Sequence, residues 1–218
     1  TIRNSSVTYS ELGAKKEESG TIVINEINGN IVGITNVPEL QQELVDLNAK
    51  LTANLAGQAS LKIDLLVPYH GESFNLDVEM GSMELVKLNP TLTPLAGVEI
   101  EKGELTRIKF HMNASKANSQ NKLIFDYSDL HMNMLKESKD HTEKKRLFLS
   151  ALANAAIRNN NMPGQEKYLT AEYQSERNIY RSPVNYIIQG LIQGIIRIVP
   201  GKKVQKALTK EKKKKKKK

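Results

Sequence analysis

The stretch ELTRIKFHMNA, residues 104–114, decides how the chain is read. From Ile108 onward every second residue is apolar: Ile108, Phe110, Met112 and Ala114. Lys109, His111 and Asn113 stand between them. A period of two places alternate side chains on opposite faces of a strand, so this segment has one greasy face and one wet face.

Working outward, the same pattern recurs. Leu51, Ala53 and Leu55 alternate with Lys50, Thr52 and Asn54. Leu61, Ile63, Leu65 and Val67 alternate with Lys62, Asp64 and Leu66, and Phe74, Leu76, Val78 and Met80 with Asn75, Asp77 and Glu79. The separators GQ and PYHGE are turn chemistry. The expectation is an antiparallel meander with short connections. In KLIFDYSDLHMNML, residues 122–135, Leu123, Phe125 and Tyr127 share one parity while Leu130, Met132 and Met134 share the other. A period-two strand changes parity only by gaining a residue, so a β-bulge is placed near Ser128-Asp129.

Other segments punctuate the sheet. TIVINEI and NIVGIT are split by Asn28-Gly29, which signals a hairpin between two apolar runs. Lys102-Gly103 reads as a second turn. Pro38 with Leu40, Leu44 and Leu47 suggests a short helix. LVKLNPTLTPLAG, with its two prolines, suggests a helical turn and an irregular crossing. Later the period lengthens: Leu147, Phe148, Ala151, Leu152, Ala155 and Ala156 form a helical stripe. KYLTAEYQSER is a last strand. SPVNYIIQGLIQGIIRIVPG then opens with Ser182 as N-cap and Pro183 in the first turn. The fold class expected is mainly β with α: a curled antiparallel sheet, an open hydrophobic groove, and two late helices. Residues 1–138 form the sheet, 139–201 complete the same domain, and 202–218 form a disordered poly-Lys tail.

Composition bounds the function. The chain has 218 residues, 39% hydrophobic but only 5% aromatic, with no Cys, so disulfides and thiol chemistry are excluded. The net charge of +8 is misleading until it is located. Residues 202–218 hold eleven Lys and one Glu, so residues 1–201 carry −2. A globally basic nucleic-acid surface is not supported. No uninterrupted apolar run reaches the ~20 residues of a transmembrane helix. The opening TIRNSSVTY already reads as a strand, which suggests a C-terminal piece of a longer protein. The four histidines, 70, 111, 131 and 141, have no metal-ligand spacing, and no nucleophile or phosphate-loop motif occurs. Asp64, Asp77, Glu79 and Asp126 fall on polar parity, as a solvated sheet face requires. The chain is read as a non-enzyme with no cofactor.

The apolar face then carries the functional question. One reading covers it with another sheet or helix. The other leaves it as a trough for an acyl chain, lined by Leu51, Leu55, Leu61, Ile63, Leu65, Phe74, Leu76, Val78, Ile108, Phe110, Met112, Leu123 and Phe125. Hydrocarbon burial needs no directional partner and is worth ~0.8 kcal/mol per CH₂. The last helix presents Ile187, Ile188, Leu191, Ile192 and Ile195 on one broad face, to pack on the sheet's end or enter a membrane interface. Gly190 and Gly194 make a GxxxG pair in a span too short for a membrane dimer. Lys202, Lys203, Lys206, Lys210 and Lys212 start the basic run, which would be drawn to anionic headgroups by ~1 kcal/mol per residue near the surface.

LNPTLTPLAGVEIEKGELTRIKFHMNA, KLIFDYSDLHMNML, LANAAIRNNN and ERNIYRSPVNYIIQGLIQGI together resemble the C-terminal region of bacterial AsmA-like envelope proteins, of the kind found in Bacteroidetes-type bacteria. The resemblance covers residues 1–200 and carries no catalytic or ligand signature. It implies a long curled β-groove in the periplasm, held at the inner membrane by an upstream transmembrane helix. It also implies a role in moving or shielding phospholipids, or in outer-membrane assembly. The competing expectation is a structural or interaction module with no lipid cargo.

Overall fold

The computed structural model describes residues 1–12, 19–134 and 157–200. They form one nine-stranded antiparallel sheet that curls without closing into a barrel. The strands are β1 (Ile2–Leu12), β2 (Ser19–Val32), β3 (Asp46–Leu55), β4 (Ala59–Pro68), β5 (Ser73–Met80), β6 (Met83–Glu84), β7 (Val98–Ser115), β8 (Asn118–Met134) and β9 (Ala171–Glu176). Their spatial order is β1-β2-β3-β4-β5-β7-β8-β9, with the short β6 pairing β7. Helix α1 (Pro38–Glu43) joins β2 to β3. A 3₁₀ turn (Leu85–Leu88) runs into α2 (Asn89–Ala96), and α3 (Pro183–Ile198) follows β9. The stripe from Leu147 to Ala156 and the run from Lys202 lie outside the described residues, as does part of the polar loop read between β1 and β2.

Register explains why the alternation seen in sequence builds a common face. Leu51 pairs Ile63, Ile63 pairs Val78, Val78 pairs Phe110, Phe110 pairs Leu123, and Leu123 pairs Ala171. The adjacent row runs Ile31, Ala49, Leu65, Leu76, Met112, Asn121 and Tyr173. On the reverse face Lys50, Asp64, Asp77, His111, Lys122 and Glu172 lie in line. Side chains directly opposite on antiparallel strands are near neighbours. Alternate charges therefore pair: Lys50 with Asp64 and His111 with Asp77, both at 2.8 Å.

Bulges do what turns were expected to do. The Asn28-Gly29 pair is not a hairpin but lies inside β2. Between Asn25 and Asn28 the register to β3 shifts by one residue, and Glu26 sits at φ +53°. The extra residue moves the apolar set from Ile22 and Ile24 to Gly29 and Ile31. Gly29 itself has φ +145°, and a Cβ there would strike the Lys50 carbonyl, so glycine is required for close strand approach rather than for a turn. Lys102-Gly103 is likewise no turn: β7 runs through it. Gly103, at φ +150°, faces a register shift where Asp129 adopts φ +49°. That shift is the β8 bulge expected at Ser128-Asp129. The loop read over SKANSQN also contracts, since β8 starts at Asn118 and Ser115 closes the turn by accepting from the Ala117 and Asn118 amides.

Cover comes from three directions. Helix α2, read from sequence as a mere helical turn, packs against both β2 and β7 although three strands lie between them in the sheet. Such a helix can touch both only because the sheet curls around it. Leu95 packs on Gly20, and Thr91 Oγ1 donates to the Thr21 carbonyl. The segment 157–170 runs along the edge of β8 beyond its pairing with β9. Asn161 pairs its backbone with Tyr127, and its side chain bonds Phe125 O and Leu169 at 2.8–2.9 Å. Asp126, expected on the solvated face, keeps that parity but is only 1% exposed. Arg107 Nε donates to it at 2.6 Å and the Tyr168 hydroxyl at 2.8 Å. A buried carboxylate needs such partners.

Helix α3 lies on the apolar face of β7, β8 and β9. Ser182 caps it by accepting from the Asn185 amide at 3.1 Å. Its two glycines let the helix backbone meet the sheet. A Cβ on Gly190 would stand 3.3 Å from Phe110 Cζ, whereas one on Gly194 would stand 2.6 Å from Leu123 Cδ2. Gly190→Ala should therefore be near neutral, because the helical gain of ~1 kcal/mol offsets slight crowding. Gly194→Ala should destabilise by about 1–3 kcal/mol through overpacking. Urea unfolding of the two variants checks the contrast.

Candidate functional site

The thirteen residues proposed to line a trough all fall on the apolar face, but the structure divides them. Leu61, Leu76, Ile108, Phe110, Met112, Leu123 and Phe125 are buried, with Phe110 at 2% exposure. These seven form a filled core with Leu85, Leu105, Leu130 and Tyr127. Leu51, Leu55, Ile63, Leu65, Phe74 and Val78 are only part-buried, and all of them except Leu51 pack against that core. The face is thus closed beneath α3 and α2 and more accessible over β3, β4 and the start of β5. The open side, not the whole face, is the candidate site.

Helix α3 explains the division. Ile187, Leu191 and Ile195 pack into the sheet's core, so they are not free to face a membrane. Ile188 and Ile192 are part-buried and lie outside that cluster. The helix's amphipathic stripe is therefore spent mainly on its own sheet. Arg197, the one charge in the helix, stacks over the Tyr173 ring with its guanidinium carbon 4.5 Å from the centroid. Burial lowers the Arg197 pKa, and burial likewise pushes the Tyr173 hydroxyl up. That hydroxyl donates to the Gly190 carbonyl at 2.7 Å, pinning the middle of α3.

Two polar features in this region were not foreseen. Ser119, Asn121 and Ser175 occupy apolar parity and are buried in the floor beneath α3. Asn121 Nδ2 donates to both serine hydroxyls at 3.0 Å, and the hydroxyls bond each other at 2.8 Å. Their polar identity on the parity of Leu123 and Phe125 was the available signal. The second feature is a clasp around Glu11 on β1. It accepts from the Tyr9 hydroxyl at 3.0 Å and from Asn185 Nδ2 at 3.2 Å, with Arg181 3.6 Å away. β1 and β9 are the two edges of the sheet, so the clasp carries the first strand across to the helix seated on the last ones. Local periodicity holds no trace of that contact.

Among the described residues, the reverse face carries shallow hollows. One of about 300 Å³ is bordered by Asp77, Glu79, Lys109, His111, Lys122 and Glu172. Its charges are mutually paired and exposed, which suits a solvated surface. No group of three or more potential metal ligands occurs among the described residues. No described helix is long and apolar enough to cross a membrane. Comparison of the chain with protein-family models, curated proteins and solved structures finds no match.

The division predicts opposite behaviour for two charge insertions. Phe110→Asp places a carboxylate in the filled half and should cost several kcal/mol, enough to unfold the domain. Leu51→Asp, on the open half, should leave a cooperative thermal transition within a few degrees of the parent. Circular dichroism melts of both variants give the answer.

On the reverse face, Lys109 donates to Glu79 at 2.8 Å and holds its carboxyl below the ordinary 4.5. A carboxylate with a lowered folded pKa contributes stability above its unfolded pKa and loses it as pH falls through the folded value. Lys109→Gln should therefore be less stable than the parent at pH 7, by a margin that shrinks as pH falls below the ordinary carboxylate range, as urea midpoints across that pH range will show.

Proposed function

We propose that this chain is a non-enzymatic, lipid-binding segment of an AsmA-like cell-envelope protein, and that the part-buried side of its sheet takes a phospholipid acyl chain. The observation that carries the reading is the unbroken aliphatic row Leu51-Ile63-Val78, continuous with the core yet not covered by α3. Such a strip offers no hydrogen bond to a ligand's reacting atoms. It offers apolar area, and an acyl chain laid along it gains ~0.8 kcal/mol for each CH₂ removed from water. The charged rows on the other face keep the sheet soluble on that side, giving the molecule one surface for hydrocarbon and one for water. On this reading the protein works in the periplasm, beside the inner membrane, in phospholipid transfer or outer-membrane assembly. The basic run from Lys202 adds attraction to anionic headgroups.

The filled half of the face favours a second reading, a structural or protein-docking module whose apolar residues serve only folding. Native mass spectrometry of the purified chain separates the two. The lipid reading expects phospholipid to accompany the folded protein, and Leu51→Asp to weaken its retention while the fold persists. A parent chain that carries no lipid, and takes up none from phosphatidylglycerol micelles, is a structural module.

A further inference from the structure

Two surface segments expose apolar side chains that the sheet does not use, and their charges are opposite in sign. The first is the connection between β2 and β3. Ile34, Val37, Leu40, Leu44 and Val45 are exposed there, Val45 at 69%, and α1 buries no residue. From Val32 to Ala49 the only charges are Glu39, Glu43 and Asp46. Among the described residues no cation pairs with any of the three. The β4–β5 turn holds the segment in place: the Tyr69 amide donates to Val45 O and its hydroxyl to Gly33 O. The second segment is the turn between β9 and α3. Ile179 and Tyr180 are 66% and 91% exposed, and Val184 in the first turn of α3 is also exposed. Asn178 fixes this turn, accepting from the Tyr180 amide through Oδ1 at 3.0 Å and from the Arg181 amide through its carbonyl at 3.1 Å. Arg177 and Arg181 flank the turn, and no Asp or Glu occurs from Arg177 to Pro200. Arg181 meets Glu11 through Nη1 at 3.6 Å, yet its side chain stays 60% exposed, so donors of its guanidinium still face water.

We propose that the β9–α3 turn of one copy docks on the α1 segment of a second copy, so that the chain associates with itself through two unlike surfaces. Charge complementarity selects this occupant. The α1 segment fits a partner that offers apolar area and positive charge together, and the turn carries both on this same chain. Pairing either surface with its own twin would set acid against acid or Arg against Arg, which like-charge repulsion opposes. The basic run from Lys202 offers charge, but its only apolar residues are Val204, Ala207 and Leu208, so it would leave most of the exposed Ile, Val and Leu side chains in water. Tyr and Arg are also the residue types on which interface energy concentrates. Both segments are tied down before contact, one by Tyr69 and the other by Asn178, which lowers the ordering cost of binding. The contact is heterologous, and that property supplies its test. The inference stands apart from the lipid-binding reading, since neither surface includes the row Leu51-Ile63-Val78.

Analytical ultracentrifugation of the full chain should show reversible association that grows with concentration and weakens as NaCl rises, because exposed charges are screened. Leu40→Ser combined with Leu44→Ser removes the α1 surface, and Ile179→Ser combined with Tyr180→Ser removes the turn. Each double variant should associate about tenfold more weakly than the parent. Their thermal transitions should be unchanged, since none of the four side chains is buried. Mixing the two variants should restore a one-to-one complex, formed by the intact turn of the first and the intact α1 segment of the second. A parent that stays monomeric at every concentration overturns the proposal. So does a mixture that associates no better than its separate components, or a variant that associates as the parent does. Association that survives in the turn variant but is lost when residues 202–218 are removed assigns the α1 segment to the Lys run, and also overturns it.

Discussion

Parity is the constraint on which the rest of this molecule depends. Across β3, β4, β5, β7 and β8 each strand must deliver its aliphatic residue to the same side as its neighbour, because a one-residue slip would exchange Ile63 for Lys62 or Phe110 for Lys109. The row from Leu51 to Ala171 holds only because every pairing along it is in phase. Where the chain's own alternation falls out of phase, at Glu26 in β2 and at Asp129 in β8, an extra residue in a left-handed conformation restores it. The long strands are therefore jointed, and the joints bend the sheet as well as correct its phase.

Curling converts a flat problem into an enclosed one. An open sheet of this width would leave its apolar face to water. Bending brings α2 against strands that are distant in the sheet, and the glycines of α3 let a helix backbone settle onto Phe110 and Leu123. The result is asymmetric. Strands β7, β8 and β9 are covered by α3, while β3, β4 and the start of β5 keep a partly accessible aliphatic strip. The asymmetry follows from the lengths available: one sixteen-residue helix covers about 24 Å, a few strand widths and no more.

Strand content, the β8 bulge, the Ser182 cap and the common face of Ile63, Leu76, Phe110 and Phe125 were legible in sequence, because each rests on local spacing. The errors have a shared cause. Asn28-Gly29 and Lys102-Gly103 carry turn chemistry, but glycine also serves where strands approach closely, and composition does not separate the two uses. Asp126 kept its expected face yet is buried, since the segment that covers it lies more than thirty residues on. The division of the candidate site was not legible either. Periodicity states which residues share a face, not which of them a later helix will cover, and Ile187, Leu191 and Ile195 settle that only once α3 is placed.

The Glu11 clasp bears on synthesis. Its two ends are 174 residues apart in the chain. The β1–β2 pair can form as soon as it leaves the ribosome, but the helix it reaches is made much later. At synthesis rates of roughly 5–20 residues per second, that helix arrives some 9–35 s later. Throughout this interval a strand edge bearing Val7 and Leu12 waits beside an unfinished sheet. Long-range closure of this kind is slow and leaves an edge open to wrong partners. The polar run of β1, with Asn4, Ser5, Ser6, Thr8 and Ser10 among its eleven residues, makes that wait tolerable.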